Sequence, residues 1–290
     1  MERELWPLLY RTVRAVAADF RQKYVQIPGW VLLLTALWAA LHDRPVVWAT
    51  ASANWLTTRL RPHRLPSQAT LSRRLDGVGL GLLWRAVEER LRQQSAEHPA
   101  LVAFLDGKPL PVGGASKDPE ARPGRGVNGF ARGYKLHAIW SNRALPETWE
   151  LTAMNAGEPT VARRLIPQLT AGGYLLADGN YDGSLLFDQA ARQGYQLVTP
   201  LPHGTAGGGH HYLSPHRVRS FELMRSDYGQ TLYRTRIAIE QAYGQASSFG
   251  GGLSPLPAWV RGLDRVRTWT WAKLLINAAR IINNKKLRQA

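Results

Sequence analysis

Apolar residues recur at helical spacing through roughly the first 93 residues. "ELWPLLYRTVRAVAADFRQKY" repeats them every third or fourth position, which predicts an amphipathic helix. "WVLLLTALWAAL" (30–41) is apolar all round and predicts a buried helix, opened by "PGW". In "HDRPVVWATASANWLTTRL", Asp43 stands as an N-cap candidate with Pro45 in the first turn. Ser67 caps a short helix in "LPSQATLSRRL", and "GLLWRAVEERLRQQ" makes another.

The pattern changes at residue 101. "LVAFLDGKPLPVG" predicts an apolar strand ending at Asp106. "GYKLHAIWSN" (133–142) and "ETWELTAMNA" (147–156) predict two strands joined by the turn "RALP". "EPTVARRLIPQL" predicts a helix, "GGYLLADGNYDG" a buried strand ending at Asp178, "SLLFDQAARQG" a helix, and "YQLVTP" a fifth strand. "YRTRIAIEQAYGQ" (233–245) and a basic stretch from about 265 to 287 predict further helices. The order β-β-β-α-β-α-β-α describes a mixed five-stranded sheet flanked by helices. It resembles the ribonuclease H-like order, in which the first and fourth strands are neighbours. The expected organisation is an all-α N-terminal domain over 1–94, a linker near 95–100, and an α/β domain over 101–290.

With the first and fourth strands adjacent and parallel, Asp106 and Asp178 meet at one sheet edge, and Glu240 on the helix after strand five reaches the same rim. Three carboxylates repel one another, and a divalent cation relieves the repulsion. Oxygen ligands favour Mg²⁺ or Mn²⁺, and two such ions suit in-line phosphoryl transfer. Taken singly, each acid has a plainer use: Asp106 and Asp178 both precede Gly, as turn residues do, and Glu240 can pair with Arg236. Asp182 is the rival to Asp178. On one continuous helix Tyr233, Arg236 and Glu240 share a face, which places a phenol and a guanidinium beside the third acid.

Composition adds a partner. Lys and Arg number 37 against 21 Asp and Glu, a formal charge of +16, which points to a polyanionic partner, nucleic acid first, with a merely soluble basic surface as the alternative. There is no cysteine, so disulfides and thiolate metal sites are excluded. The apolar run at 30–41 is too short to span a bilayer, so no membrane partner is expected and a cytoplasmic, nucleoid-associated protein is. Residues 45–75 could form a helix-turn-helix with 67–75 as the recognition helix, Gln68, Ser72, Arg73 and Arg74 facing DNA; an ordinary bundle with solvated arginines is the alternative. The basic excursion "KDPEARPGRGVNGFARGYK" (117–135) reads as a disordered hairpin loop, with ordering on DNA through Arg122, Arg125 and Arg132 as the alternative. His210 and His211 sit in a Gly-rich loop near DNA. The C-terminal basic helix is expected to pack on the sheet.

The motifs of the second part resemble those of DDE-type bacterial insertion-sequence transposases. "DGKPLPV" (106–112), "GYKLH" (133–137) and "ADGNYD" (177–182) match three of them. Tyr233, Arg236 and Glu240 match the family's Tyr-x2-Arg-x3-Glu-x6-Lys signature, whose Lys position is Ser247 here. The resemblance covers residues 100–285. It implies a ribonuclease H-like core with Asp106, Asp178 and Glu240 as catalytic metal ligands for two Mg²⁺ or Mn²⁺ ions. It implies Tyr233, Arg236 and Lys135 on the DNA, terminal inverted repeats and target DNA as substrates, and a homodimer on DNA.

Overall fold

The computed structural model describes residues 2–20, 25–75, 77–95, 100–126, 129–201, 213–248, 252–253 and 256–289. Helices α1 (Glu2–Val16), α2 (Gly29–Leu41), α3 (Gln68–Arg74) and α4 (Val78–Ser95) precede strands β1 (Val102–Pro111), β2 (Arg122–Gly126), β3 (Gly129–Trp140) and β4 (Thr148–Ala153). Then come α5 (Glu158–Leu165), β5 (Gly173–Leu176), α6 (Ser184–Arg192), β6 (Tyr195–Val198), α7 (Pro215–Arg225), α8 (Asp227–Arg234), α9 (Ile237–Ser247) and α10 (Leu263–Gln289). The chain forms two compact units, Met1–Ala96 with Ala246–Ala290, and Glu97–Gln245. The C-terminal helix therefore belongs with the helices, not with the sheet as expected. Its buried Val266, Ala272, Leu275, Ile276, Ala279 and Ile282 supply the reason, since α10 packs against α1, α2 and α4.

In the helical unit, α2 is buried from Val31 to Leu41, as its uninterrupted apolar run requires. Lys273 of α10 is buried beside it, and its ammonium donates to the Ala40 carbonyl at 2.6 Å and to Asp43 at 2.5 Å. Burial lowers the Lys273 pKa, and Asp43 opposes that shift. Asp43, with φ of +52°, thus closes the end of α2 and is not an N-cap. The helix expected after it is instead two 3₁₀ segments, Val46–Thr50 and Ser52–Trp55. Indole N–H groups claim the local carbonyls: Trp55 donates to Ala49, Trp38 to Asn54 and Trp6 to Leu60, at 2.7–2.9 Å. These bonds tie the segment to the indoles of the helical unit. Residues 56–67 then run without helix to α3. No α-helix therefore lies between α2 and α3, so the segment ahead of α3 differs from the α-helix expected there. Ser67 does cap α3, its hydroxyl accepting from the Thr70 N–H at 3.2 Å.

The second unit holds a six-stranded sheet in the order β2-β3-β1-β5-β6, with β4 also paired to β3. β1, β3 and β4 pair antiparallel, whereas β1–β5 and β5–β6 are parallel. All five expected strands form. The sixth, β2, comes from the basic excursion: Arg122–Gly126 pairs with Gly129–Gly133 of β3. Arg132 is spent inside it, donating to the Asp118 and Ala121 carbonyls. The expectation for His210 and His211 falls outside the described residues. Leu105, Ile139, Val161, Leu165, Leu175, Phe187 and Leu197 form the core between the sheet and α5 and α6. β5 starts hard against β1: a Cβ on Gly173, whose φ is +136°, would stand 2.1 Å from the Leu101 carbonyl oxygen.

The single helix expected over 233–245 is broken. α8 ends at Arg234 and α9 begins at Ile237. The Thr235 hydroxyl donates to the Leu232 carbonyl at 2.6 Å, and the Arg236 and Ala238 N–H groups bond three residues back, to Tyr233 and Thr235. Such local bonds replace the α-helical ladder at the joint.

Lys273→Ala removes the ammonium that bonds Ala40 and Asp43 and leaves a cavity in the helical unit. It should lower unfolding stability by about 3 kcal/mol, measured by urea denaturation, with Lys273→Met losing less because it keeps the stem.

Candidate active site

β1 and β5 run parallel with Phe104 opposite Leu176. Two residues further along each chain stand Asp106 and Asp178. Side chains alternate across a sheet, so both point to the same face, opposite the Leu105–Leu175 core. β5 ends at Leu176, and Asp178 caps the 3₁₀ turn Gly179–Tyr181 by accepting from the Asn180 N–H at 2.8 Å. Asp106 stays in β1 and accepts from the Gly107 N–H at 2.8 Å.

Two phenols fix the main chain at these acids. Tyr233 of α8 donates to the carbonyl of Ala177, the residue before Asp178, at 3.1 Å. Tyr243 of α9 donates to the carbonyl of Asp106 itself at 2.9 Å, and packs edge-on against Trp140. Between them, at the joint of the two helices, the Arg236 guanidinium lies 3.8 Å from the Asp106 carboxylate. Its Nε is buried without a hydrogen-bond partner among the described residues. The broken helix therefore serves the site, because it lets both tyrosines and the arginine reach one rim.

A third acid approaches from the face covered by α5. Glu158 opens that helix and accepts from Lys135 Nζ at 2.8 Å. Its other oxygen is 3.4 Å from the Asn180 side-chain nitrogen, which is also 3.4 Å from Asp178. Tyr181 is buried in the same region, its hydroxyl without a partner among the described residues.

Burial pushes the Asp106 pKa up to about 6, and the charges of Asp178 and Glu158 add to the rise, against the opposing Gly107 N–H and Arg236. Asp178 is raised too, chiefly by burial and then by Glu158, while the Asn180 N–H, Arg236 and Lys135 oppose. Two half-buried carboxylates that resist ionisation are short of positive charge, and this donor chemistry fits a divalent cation.

Other expected site residues are placed differently. Glu240 is exposed in the first turn of α9, four residues after Arg236 and three before Tyr243. No group of three His, Asp or Glu side chains among the described residues is arranged to hold a metal ion. Tyr233 is committed to a backbone carbonyl, not open to a phosphate. Lys135, expected on DNA, is 7% exposed and ion-paired with Glu158. Arg74 donates to the Ile27 carbonyl at 2.6 Å, while Arg73 is exposed and bonds the Ala69 carbonyl. The Ser247 hydroxyl is buried and without a partner among the described residues, so that position presents no open polar surface. Asp182 is held by two 2.6 Å bonds to Arg217. Glu158 was not singled out in the sequence; its one signal is an acid in the first turn of a helix, before Pro159.

The model of the transposase DDE domain family matches residues 97–276, more than half of the chain. The chain belongs to that family, whose members are transposases that act on DNA and generally use divalent metal ions. No curated protein and no solved structure matches it. Among the described residues no helix is long and apolar enough to cross a membrane.

The Asp106 shift fixes a pH dependence. Its ordinary pKa is 3.8 and its folded one about 6. The folded chain binds this proton more tightly, so the stability it carries is full below pH 3.8 and lost as the pH rises through 6. In metal-free buffer near neutral pH, Asp106→Asn should therefore raise stability by about 2 kcal/mol and flatten the acid limb of the stability profile. A loss of stability would contradict the burial argument.

Proposed function

We propose that this chain is an active insertion-sequence transposase. It binds the terminal inverted repeats of its element, hydrolyses a phosphodiester to free a 3′-OH and joins that end to target DNA. The observation that carries the reading is the register of β1 on β5, Phe104 opposite Leu176, with Asp106 and Asp178 each two residues further on and Arg236 beside Asp106. The strand order β4-β3-β1-β5-β6 fits a ribonuclease H-like core. Asp106, Asp178 and Glu240 would hold Mg²⁺ or Mn²⁺, in a site for two ions. When bound, the metal supplies an activated oxygen nucleophile and charge stabilisation at the leaving oxygen. Glu240 lies within one helical turn of Arg236 and Tyr243, both anchored at Asp106, so its helix is already docked at the rim.

The chain's own residues do the positioning. Tyr233 and Tyr243 fix the backbone that carries the two acids. Arg236 is the cation nearest the carboxylates and would meet the phosphate next to the scissile bond, orienting it for in-line attack. Arg73 is the residue of α3 offered to DNA by the helical unit. Arg74 is held by Ile27 and would act on DNA only indirectly. Lys135 would act through Glu158 and not on a phosphate. Two strand transfers call for paired ends, hence a homodimer on DNA. A second reading, a chain that binds ends without cutting, draws on one observation: Glu240 does not join the two aspartates in a ready three-acid group.

Cleavage of a duplex carrying the element's terminal repeat separates the two. Asp106→Asn, Asp178→Asn and Glu240→Gln should each reduce Mg²⁺-dependent cleavage to background while end binding persists, and Asp182→Asn should still cut. Arg236→Ala should slow cleavage, with Arg236→Lys restoring only part, because a point charge cannot reproduce a planar fork. Wild-type chain that binds the end and never cuts would establish the second reading.

A further inference from the structure

Lys135 and Glu158 form a largely buried ion pair, their side chains 9% and 15% exposed. Desolvating two charges costs several kcal/mol, and mutual attraction offsets that only when the remaining hydrogen-bonding capacity is also used. Here it is used toward the site. Lys135 takes one Glu158 oxygen, at 2.8 Å. The Asn180 amide approaches the other at 3.4 Å and Asp178 at the same distance. An amide nitrogen donates twice, so with a carboxylate on either side the NH₂ edge is the one that must face both. Glu158 thereby sets the orientation of Asn180. Asn180 holds Asp178 with its backbone N–H on one oxygen and its side chain on the other. Because Lys135 and Asn180 engage both Glu158 oxygens, Glu158 is placed to orient, not to ligate.

The same pair explains a glycine. A Cβ on Gly107 would stand 2.9 Å from Lys135 Cδ and 3.1 Å from a Glu158 oxygen. The residue after Asp106 must leave that space open.

We propose that Glu158 is a positioning residue for Asp178, acting through Asn180 and clamped by Lys135. This rests on the reading that Asp106 and Asp178 are the metal ligands. Residues that orient metal ligands from behind typically change metal affinity by about 10–100-fold when removed. The test is calorimetric titration of Mn²⁺ into the full chain without DNA, for wild type, Glu158→Ala, Asn180→Ala, their double variant and Asp106→Asn. Glu158→Ala and Asn180→Ala should each weaken Mn²⁺ binding by about 10–100-fold. The double variant should be no weaker than the worse single, since both break one chain of contacts. Losses that multiply would mean independent action and overturn the proposal. Wild-type affinity in Glu158→Ala, with binding lost in Asp106→Asn, would overturn it alone; wild-type affinity in Asp106→Asn would overturn the site reading and this inference together. Asn180 is exposed, so its variant does not put folding at stake. Should Glu158→Ala fail to fold, unchanged affinity in Asn180→Ala decides against the proposal.

Discussion

Two carboxylates of like charge, one in β1 and one just past the end of the neighbouring parallel β5, both half withdrawn from water, set the terms for everything around them. The pairing of Phe104 with Leu176 fixes their depth and their shared face. Burial raises both pKa values, with Asp178 and Glu158 adding to the rise at Asp106 and Glu158 adding to it at Asp178. Each surrounding feature answers that cost. Backbone N–H groups of Gly107 and Asn180 donate to the acids, Arg236 approaches from one side, and Lys135 balances Glu158 on the other. Tyrosines 233 and 243 bond to the carbonyls next to and at the acids, so the strands cannot relax apart to solvate them. Without a cation the arrangement is electrostatically strained, and that strain is what makes it a candidate to bind one.

Much of this frame was legible in the sequence, because it rests on periodicity. The apolar runs ending at Asp106 and Asp178, the turns between strands and the βα alternation are local patterns with local causes. The motif match through "DGKPLPV", "GYKLH" and "ADGNYD" lies in the same stretch, and the family assignment follows it.

What the sequence did not reveal depends on contacts between distant residues. The stretch from His42 to Leu60 looks helical by pattern but forms two 3₁₀ segments, bonded to the indole N–H groups of Trp6, Trp38 and Trp55. The helix through Arg236 is continuous by periodicity, but its break is set by Thr235 and by the need for Tyr233 and Tyr243 to reach two different strands. Lys135 reads as a free cation in a basic chain until Glu158, 23 residues later, claims it. The C-terminal helix carries no mark of which apolar surface it joins. In each case the deciding partner is a side chain remote in sequence, so spacing alone could not supply it.

The central claim is that Asp106 and Asp178, completed by Glu240, form one divalent-metal site. Iron-directed cleavage of the polypeptide tests it most directly. Fe²⁺ replaces Mg²⁺ in the full chain bound to a terminal-repeat duplex, ascorbate and peroxide generate radicals at the metal, and mass spectrometry locates the backbone cuts. The account predicts cuts clustered beside residues 106, 178 and 240 and suppressed by excess Mg²⁺. Cuts elsewhere, or none that Mg²⁺ competes away, would contradict it.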